Sequence, residues 1–200
     1  YFDPLNTTMN DLDRVRARLG VVPSFIDERG QKGITKSLET YDELMVQKRG
    51  LIESFKTHNA VLVNSLSYFT IVVSDVTDST RDSQTGRGVA DTVDSLLQDI
   101  LLYNVTANPA LIARIETYIS QLSEYQADFA ANIGSDKIEF DALISNANLI
   151  LARKPITDNL VASIFSLAIP QQISETSSLY TSYLQAAQQH ASFYQLALYI

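Results

Sequence analysis

The residues able to do chemistry in this chain are few. His58 and His190 are the only histidines, and there is no cysteine. A di-iron site in a helical bundle uses Glu-x-x-His pairs. Here the third residue before His58 is Phe55, and before His190 it is Ala187. Zinc or haem would need more ligands than two histidines supply. Gly86-Arg87-Gly88 lacks the Gly-x-x-x-x-Gly-Lys frame that cradles phosphate. No serine sits in a Gly-x-Ser-x-Gly elbow. The residues therefore predict no catalytic centre, no metal and no cofactor.

What remains is polar recognition. Residues 55–69 read FKTHNAVLVNSLSYF. Phe55, Leu62, Leu66 and Phe69 follow helical spacing, and Asn59 falls on the same face. Lys56, His58 and Asn64 lie close in sequence. Asn59 on an apolar seam has two readings. It fixes the register of packed helices, or it lines a small-molecule pocket between them. Either reading asks for a partner in the interior. Asn64 points off the seam by a wide angle, toward a flank or solvent, and Lys56 is also off the seam. Late in the chain, Tyr180, Tyr183, Tyr194 and Tyr199 pose the same choice between core and pocket lining. The candidate ligand-binding residues are Lys56, Asn59, Asn64, Tyr180 and Tyr183.

These residues need helices to hold them. Ile34, Leu38, Tyr41, Met45, Lys48, Ile52, Phe55, Asn59, Leu62, Leu66, Phe69, Val73 and Val76 step by four and three without a phase break. That is the seam of a long helix packed at coiled-coil-like angles. Spanning about 33–82, it would run roughly 70 Å. Residues 5–20 predict a helix ending at Gly20 and Pro23, and 21–33 a loop, with Thr35 or a neighbour capping the long helix. SQTGRG at 83–88 breaks the chain. A helix over 89–105 follows, and another starts at Pro109 and reaches about Asn132, with Gly134 ending it. Asp136 caps a segment to about Lys154. Pro155 starts the last, which runs to 200 and is broken around 166–171 by Pro170. Beyond Glu175 no charged side chain occurs, which predicts a final helix covered on more than one side.

Composition agrees with an all-α protein. The hydrophobic fraction is 46%, enough for a core, with only seven Gly and five Pro. A long helix can serve two bundles. The fold expected is an elongated helical bundle, two stacked bundles sharing long helices, with the assignment of helices to each left open. A net charge of −8 argues against nucleic acid as a partner and mildly against anionic lipid. No apolar run of membrane-spanning length stands out.

Three stretches carry a family resemblance. FKTHNAVLVNSLSYF resembles the Phe-Lys-Ser-x-Asn-Ala-x-Leu-Arg-Asn-Ser-Leu signature of DAHL domains, the double all-helical ligand-binding domains of bacterial receptors. Phe55, Lys56, Asn59, Ala60, Leu62, Asn64, Ser65 and Leu66 match, while Val63 stands where arginine is frequent. LLYNVTANPALIARIETYISQL at 101–122 is similar to the family's Leu-x-Tyr-Asn segment and the helix after it. ANLILARKPITDNLVASIFSLAIP at 147–170 is similar to its third segment, with Asn146-Ala147 where a His-Ala pair is frequent. The opening Tyr1-Phe2-Asp3-Pro4-Leu5 and the closing ASFYQLALYI resemble the family's ends, the latter its approach to a second membrane helix.

The resemblance implies that residues 1–200 are one extracytoplasmic (periplasmic) sensor domain. It implies a parent chain anchored in the inner membrane by flanking transmembrane helices, with a histidine kinase or a cyclic-dinucleotide enzyme as output. It names no ligand and leaves a homodimer open. The competing reading is a non-catalytic scaffold or dimerisation module without a small ligand. An enclosed polar pocket near Asn59, or near Tyr180 and Tyr183, would favour the sensor.

Overall fold

The computed structural model describes residues 3–81, 84–129 and 136–198. The expected helix end at Gly134, the opening Tyr1-Phe2 and the tyrosine at 199 lie outside them, as does the side chain of Tyr194. The described chain is all-α. Its helices are α1 (Asp3–Leu19), α2 (Glu28–Thr80), α3 (Gln84–Thr106), α4 (Ala110–Phe129), α5 (Asp136–Ser166) and α6 (Ile169–Leu198). They divide into two compact units. Unit 1 is Tyr1–Gly50 with Ser166–Ile200, and unit 2 is Leu51–Phe165.

The start of α2 differs from the expected loop over 21–33. The helix begins at Glu28 because Asp27 caps it, not Thr35. The Gly30 amide donates to Asp27 Oδ1 at 2.7 Å, and the Gln31 amide donates to the Asp27 carbonyl at 2.9 Å. Gly30 and Gly33 then sit inside the first turns rather than in a loop. Their role is close approach. A Cβ on Gly30 would lie 2.6 Å from Ile26 Cγ2 and 2.8 Å from Tyr183 Cδ1. A Cβ on Gly33 would lie 3.3 Å from Tyr183 Oη. The ring of Tyr183 thus lies across both glycines.

Gly50 is the opposite case, with no atom within 4 Å of a Cβ built there. Gly50→Ala should therefore stabilise α2 by up to about 1 kcal/mol, the helix-propensity difference. Gly30→Ala should cost about 1–3 kcal/mol, because overpacking against a β-branched side chain and a ring outweighs propensity. Urea midpoints of the two variants moving in opposite directions would bear this out. A gain from Gly30→Ala would refute the close-approach reading.

Two prolines act differently. Pro155 does not start a helix; it lies inside α5. Its ring faces solvent, and the hydrogen bond it cannot make is its own to the preceding turn. The break comes instead at Leu167-Ala168, within the interval expected from Pro170. Pro170 is the second residue of α6, where its missing N–H costs nothing. Asn108 caps α4, accepting from the Ala110 amide at 3.0 Å. Ala107, at φ 50°, takes the left-handed conformation that turns the chain from α3 into α4.

The core of unit 2 is built from Phe69 and Val76 of α2, Leu96 and Ile100 of α3, Ile115 and Leu122 of α4, and Leu143 and Ile150 of α5, all fully buried. Unit 1 has two smaller clusters. One joins Ile26, Ile34 and Leu38 to Tyr180 and Tyr183. The other joins Tyr41, Met45 and Ile169 to Met9 and Leu12. Along the predicted seam of α2, Lys48, Phe55, Asn59 and Leu66 are only half-buried; the remaining members are buried. One 18-residue window of α2 does reach a mean hydropathy of 1.4, the composition of a membrane span, contrary to the expectation of none. That window is 39% buried within the protein. Phe69, Val72, Val73 and Val76 of this helix are core residues of unit 2, whereas Val63 and Ile71 are exposed, so core packing accounts for only part of that apolar character.

Helix α6, without charge beyond Glu175, is not covered on more than one side among its described residues. Gln172 and Thr176 are buried and Leu179, Tyr180 and Tyr183 half-buried on one face; most of its other described side chains are exposed. Its outer surface is rich in Ser, Thr and Gln, with Glu175, Ile173, Leu184 and Phe193 also exposed. The Ser, Thr and Gln side chains hydrate without carrying charge, so the lack of charge was no measure of burial.

Candidate functional site

Unit 1 contains a cavity of about 340 Å³ between α1, α2 and α6. It falls at the lower end of the range of about 300–1,000 Å³ common for small-molecule sites. The spacing of α1 explains one wall. Met9, Leu12, Arg16 and Leu19 recur by three and four, so Arg16 lies on the apolar face of its helix. Leu12, Val15 and Leu19 line the cavity from α1, Leu38 and Tyr41 from α2, and Ile173 and Tyr180 from α6. Thr176, Ser177 and Thr181 add hydroxyls from α6.

Arg16 is the single charged side chain among the lining residues. It is held in a fork by Asp42, with Nε donating to Oδ1 at 2.7 Å and Nη2 to Oδ2 at 2.6 Å. That bonding raises the guanidinium pKa further, chiefly through the hydrogen bond to Asp42. A second ion pair, Arg49 with Asp13, joins α2 to α1. The Tyr41 phenol is pushed above its usual range by burial first and then by the carboxylates of Asp13 and Asp42. Burial also raises Tyr180, against the opposing charge of Arg16. The Tyr180 hydroxyl donates to the carbonyl of Leu19, an end group of α1 that has no helical partner.

Behind the cavity, α2 and α6 share a buried polar network. Gln172 Nε2 donates to the Ser37 carbonyl and to Ser37 Oγ, both at 2.9 Å. Ser37 Oγ and Thr176 Oγ1 lie 2.8 Å apart, and the Thr176 hydroxyl reaches the Gln172 carbonyl at 2.7 Å. Every hydroxyl in it has a partner, so the network fixes the register of α6 on α2. Thr176 belongs both to the network and to the cavity wall.

Of the five residues picked from sequence, only Tyr180 lines the cavity. Tyr183 packs on Gly30 and Gly33 instead. Lys56, Asn59 and Asn64 belong to unit 2. Lys56 pairs with Glu53 on its own helix at 2.7 Å. Asn64 is exposed and Asn59 half-buried. Water reaches Asn59, so the interior partner expected for it is not required. Nearby, Arg153 Nη1 lies 3.1 Å from His58 Nδ1. Arginine can only donate, so Nδ1 accepts and the proton of a neutral ring sits on Nε2. Among the described residues no three His, Cys, Asp or Glu side chains gather as metal ligands would.

Sequence reasoning missed Arg16, Asp42 and the α1 wall. The signal was present: an arginine in the i, i+3, i+7, i+10 register of Met9, Leu12 and Leu19.

The described residues form an all-α bundle with an apolar cavity between helices. The chain belongs to the DAHL domain family, whose model matches residues 1–195. Comparison with curated proteins and with solved structures returns no significant match.

Proposed function

We propose that this domain is the extracytoplasmic ligand-sensing part of a transmembrane receptor and that it has no catalytic activity of its own. The observation that carries the reading is the position of the cavity. It lies between α1 and α6, the first and last helices of the domain. In such a receptor the signal would leave through α6, which packs along α1 in the same direction, with Met9 and Leu12 beside Ile169 and Leu19 beside Tyr180. A ligand seated there touches both at once. It can favour one arrangement of α6 against α1 by its difference in affinity for the two. The Tyr180 bond to the end of α1 and the Ser37–Gln172–Thr176 network are the contacts that such a shift would remake. Membership of a sensor-type family supports the reading, with a histidine kinase or cyclic-dinucleotide enzyme as the output. The cavity has Tyr180 in its wall, but that wall is apolar and open at Val15, Leu19 and Ile173, where an enclosed polar pocket was anticipated.

A thermal-shift screen of small metabolites tests this. A ligand at one hundred times its Kd should stabilise the folded state by about 2.7 kcal/mol. A hit should also change the distance between spin labels placed on α1 and α6, and Ile173→Trp, which fills the cavity, should abolish both effects. Silence across a broad library would favour the scaffold alternative. A hit that leaves the α1–α6 distance unchanged would reject the transmission mechanism.

A further inference from the structure

We infer that the cavity of unit 1 takes a small, uncharged, aromatic molecule bearing one hydrogen-bond-accepting oxygen. This rests on the ligand-sensing reading and adds the chemical class of the ligand.

The argument begins with charge. Arg16 is the one charged group in the wall, and Asp42 already occupies its Nε and Nη2. The second pair at this face, Arg49 with Asp13, is likewise balanced. An incoming carboxylate would give up its water to meet a guanidinium that Asp42 has neutralised, with that carboxylate close behind. An ammonium would meet Arg16 and no unpaired acid. Both ionic classes are therefore disfavoured.

Polarity narrows the class further. Leu12, Val15, Leu38 and Ile173 offer nothing to the hydroxyls of a sugar, which would be buried unpaired. The rings of Tyr41 and Tyr180 offer flat apolar surface to another ring. The donors that remain are few. Arg16 Nη1 is outside the Asp42 fork, and it lies on the side of Gly20, where a Cβ would meet it at 3.0 Å. The Thr181 hydroxyl donates to the Ser177 carbonyl and Ser177 stands exposed, which leaves the Tyr41 hydroxyl as the other donor in the wall. A single ketone, ester or phenol oxygen matches that supply.

Three shape-matched probes separate the possibilities: acetophenone, benzoate and toluene, titrated against the whole 200-residue domain at pH 7 by calorimetry and by NMR of the tyrosine rings. Acetophenone should bind saturably, at least tenfold more tightly than benzoate and several-fold more tightly than toluene. Arg16→Met should erase the advantage over toluene. Ile173→Trp should remove acetophenone binding, and Ser177→Phe is the second blocking variant should the first unfold. Both positions are exposed on α6, which favours their folding. Benzoate binding as tightly as acetophenone would overturn the inference while leaving a ligand-sensing domain intact. Absence of saturable acetophenone binding, or binding that survives both blocking variants, would overturn it too. The sensor reading itself stands or falls on the broad metabolite screen.

Discussion

Phe69→Ala should lower the stability of unit 2 by about 3–5 kcal/mol, the range for emptying a fully buried aromatic site. Phe69 has no exposed surface and belongs to the cluster joined by side chains of α2, α3, α4 and α5. Removing the ring leaves a cavity that four helices cannot all close upon. A loss of that size is a large fraction of what holds a domain together. The neighbouring Tyr68 is 50% exposed. Tyr68→Ala should stay within about 0.5 kcal/mol, as surface changes usually do. Amide hydrogen exchange across α3 and α4, which lie wholly in unit 2, is the direct measurement. Phe69→Ala should speed exchange there and Tyr68→Ala should not. Equal effects would mean that the register of α2 is wrong by a residue.

That register was legible from sequence because the seam steps by three and four over many turns. Ile34, Leu38, Tyr41 and Met45 at one end, and Phe69, Val73 and Val76 at the other, are buried as the steps require. The middle is weaker: Lys48, Phe55 and Asn59 are half-buried. The same periodicity that places a side chain on a face does not say how closely another helix approaches that face. The start of α2 was misplaced for a related reason. Gly30 and Gly33 read as loop residues when only local propensity is weighed. Their use is to let the ring of Tyr183, far away in sequence, lie against the backbone. Pro155 was read as a helix start, yet an exposed proline within a long packed helix loses one bond and keeps the rest of its contacts.

The cavity was the least legible feature. Its walls come from three helices, and no single stretch contains the pattern. Tyr180 was singled out by residue type, and Tyr41 was placed on the seam without being read as a cavity wall. Arg16 was readable as a charge in an apolar register, but its meaning depends on Asp42, which the fold brings to it across a turn between helices. Polar residues concentrated in FKTHNAVLVNSLSYF drew attention to unit 2. There, Lys56 is tied to Glu53 and His58 to Arg153. Sequence density of polar side chains marked a helix surface with one pairing along α2 and one from α2 to α5. Convergence of apolar ones marked the cavity, and convergence is a property of the fold.

Asp158→Ala should destabilise unit 2 by about 2 kcal/mol, and Lys154→Met by much less. The Lys154 side chain is only 10% exposed, and its ammonium donates to both oxygens of Asp158 at 2.5 and 2.6 Å. Lysine placed four residues before an acid is the weaker orientation for helix support, so the pair is not there for propensity. It neutralises a charge that the fold covers. Deleting the carboxylate strands that charge, at a cost of about 1–3 kcal/mol or more. Asp158 is 42% exposed, and the water that reaches it holds the expected value within that range. Replacing the lysine by methionine removes the charge along with the need for a partner and keeps most of the packing. The double variant should therefore recover most of what Asp158→Ala loses, a coupling of about 0.5–3 kcal/mol. Tyr103 supplies an independent readout. Its phenol is held above the usual tyrosine value by burial first and by the charge of Asp158 second. The folded state thus keeps that proton longer than the unfolded chain. Its contribution to stability is complete below the usual value of about 10 and is lost as pH rises beyond it. Removing Asp158 should bring the Tyr103 titration, followed by phenolate absorbance, to lower pH while leaving it above the unfolded value. A titration that does not move would separate Asp158 from Tyr103. An Asp158→Ala variant as stable as the parent would show that water, and not the carboxylate, satisfies Lys154.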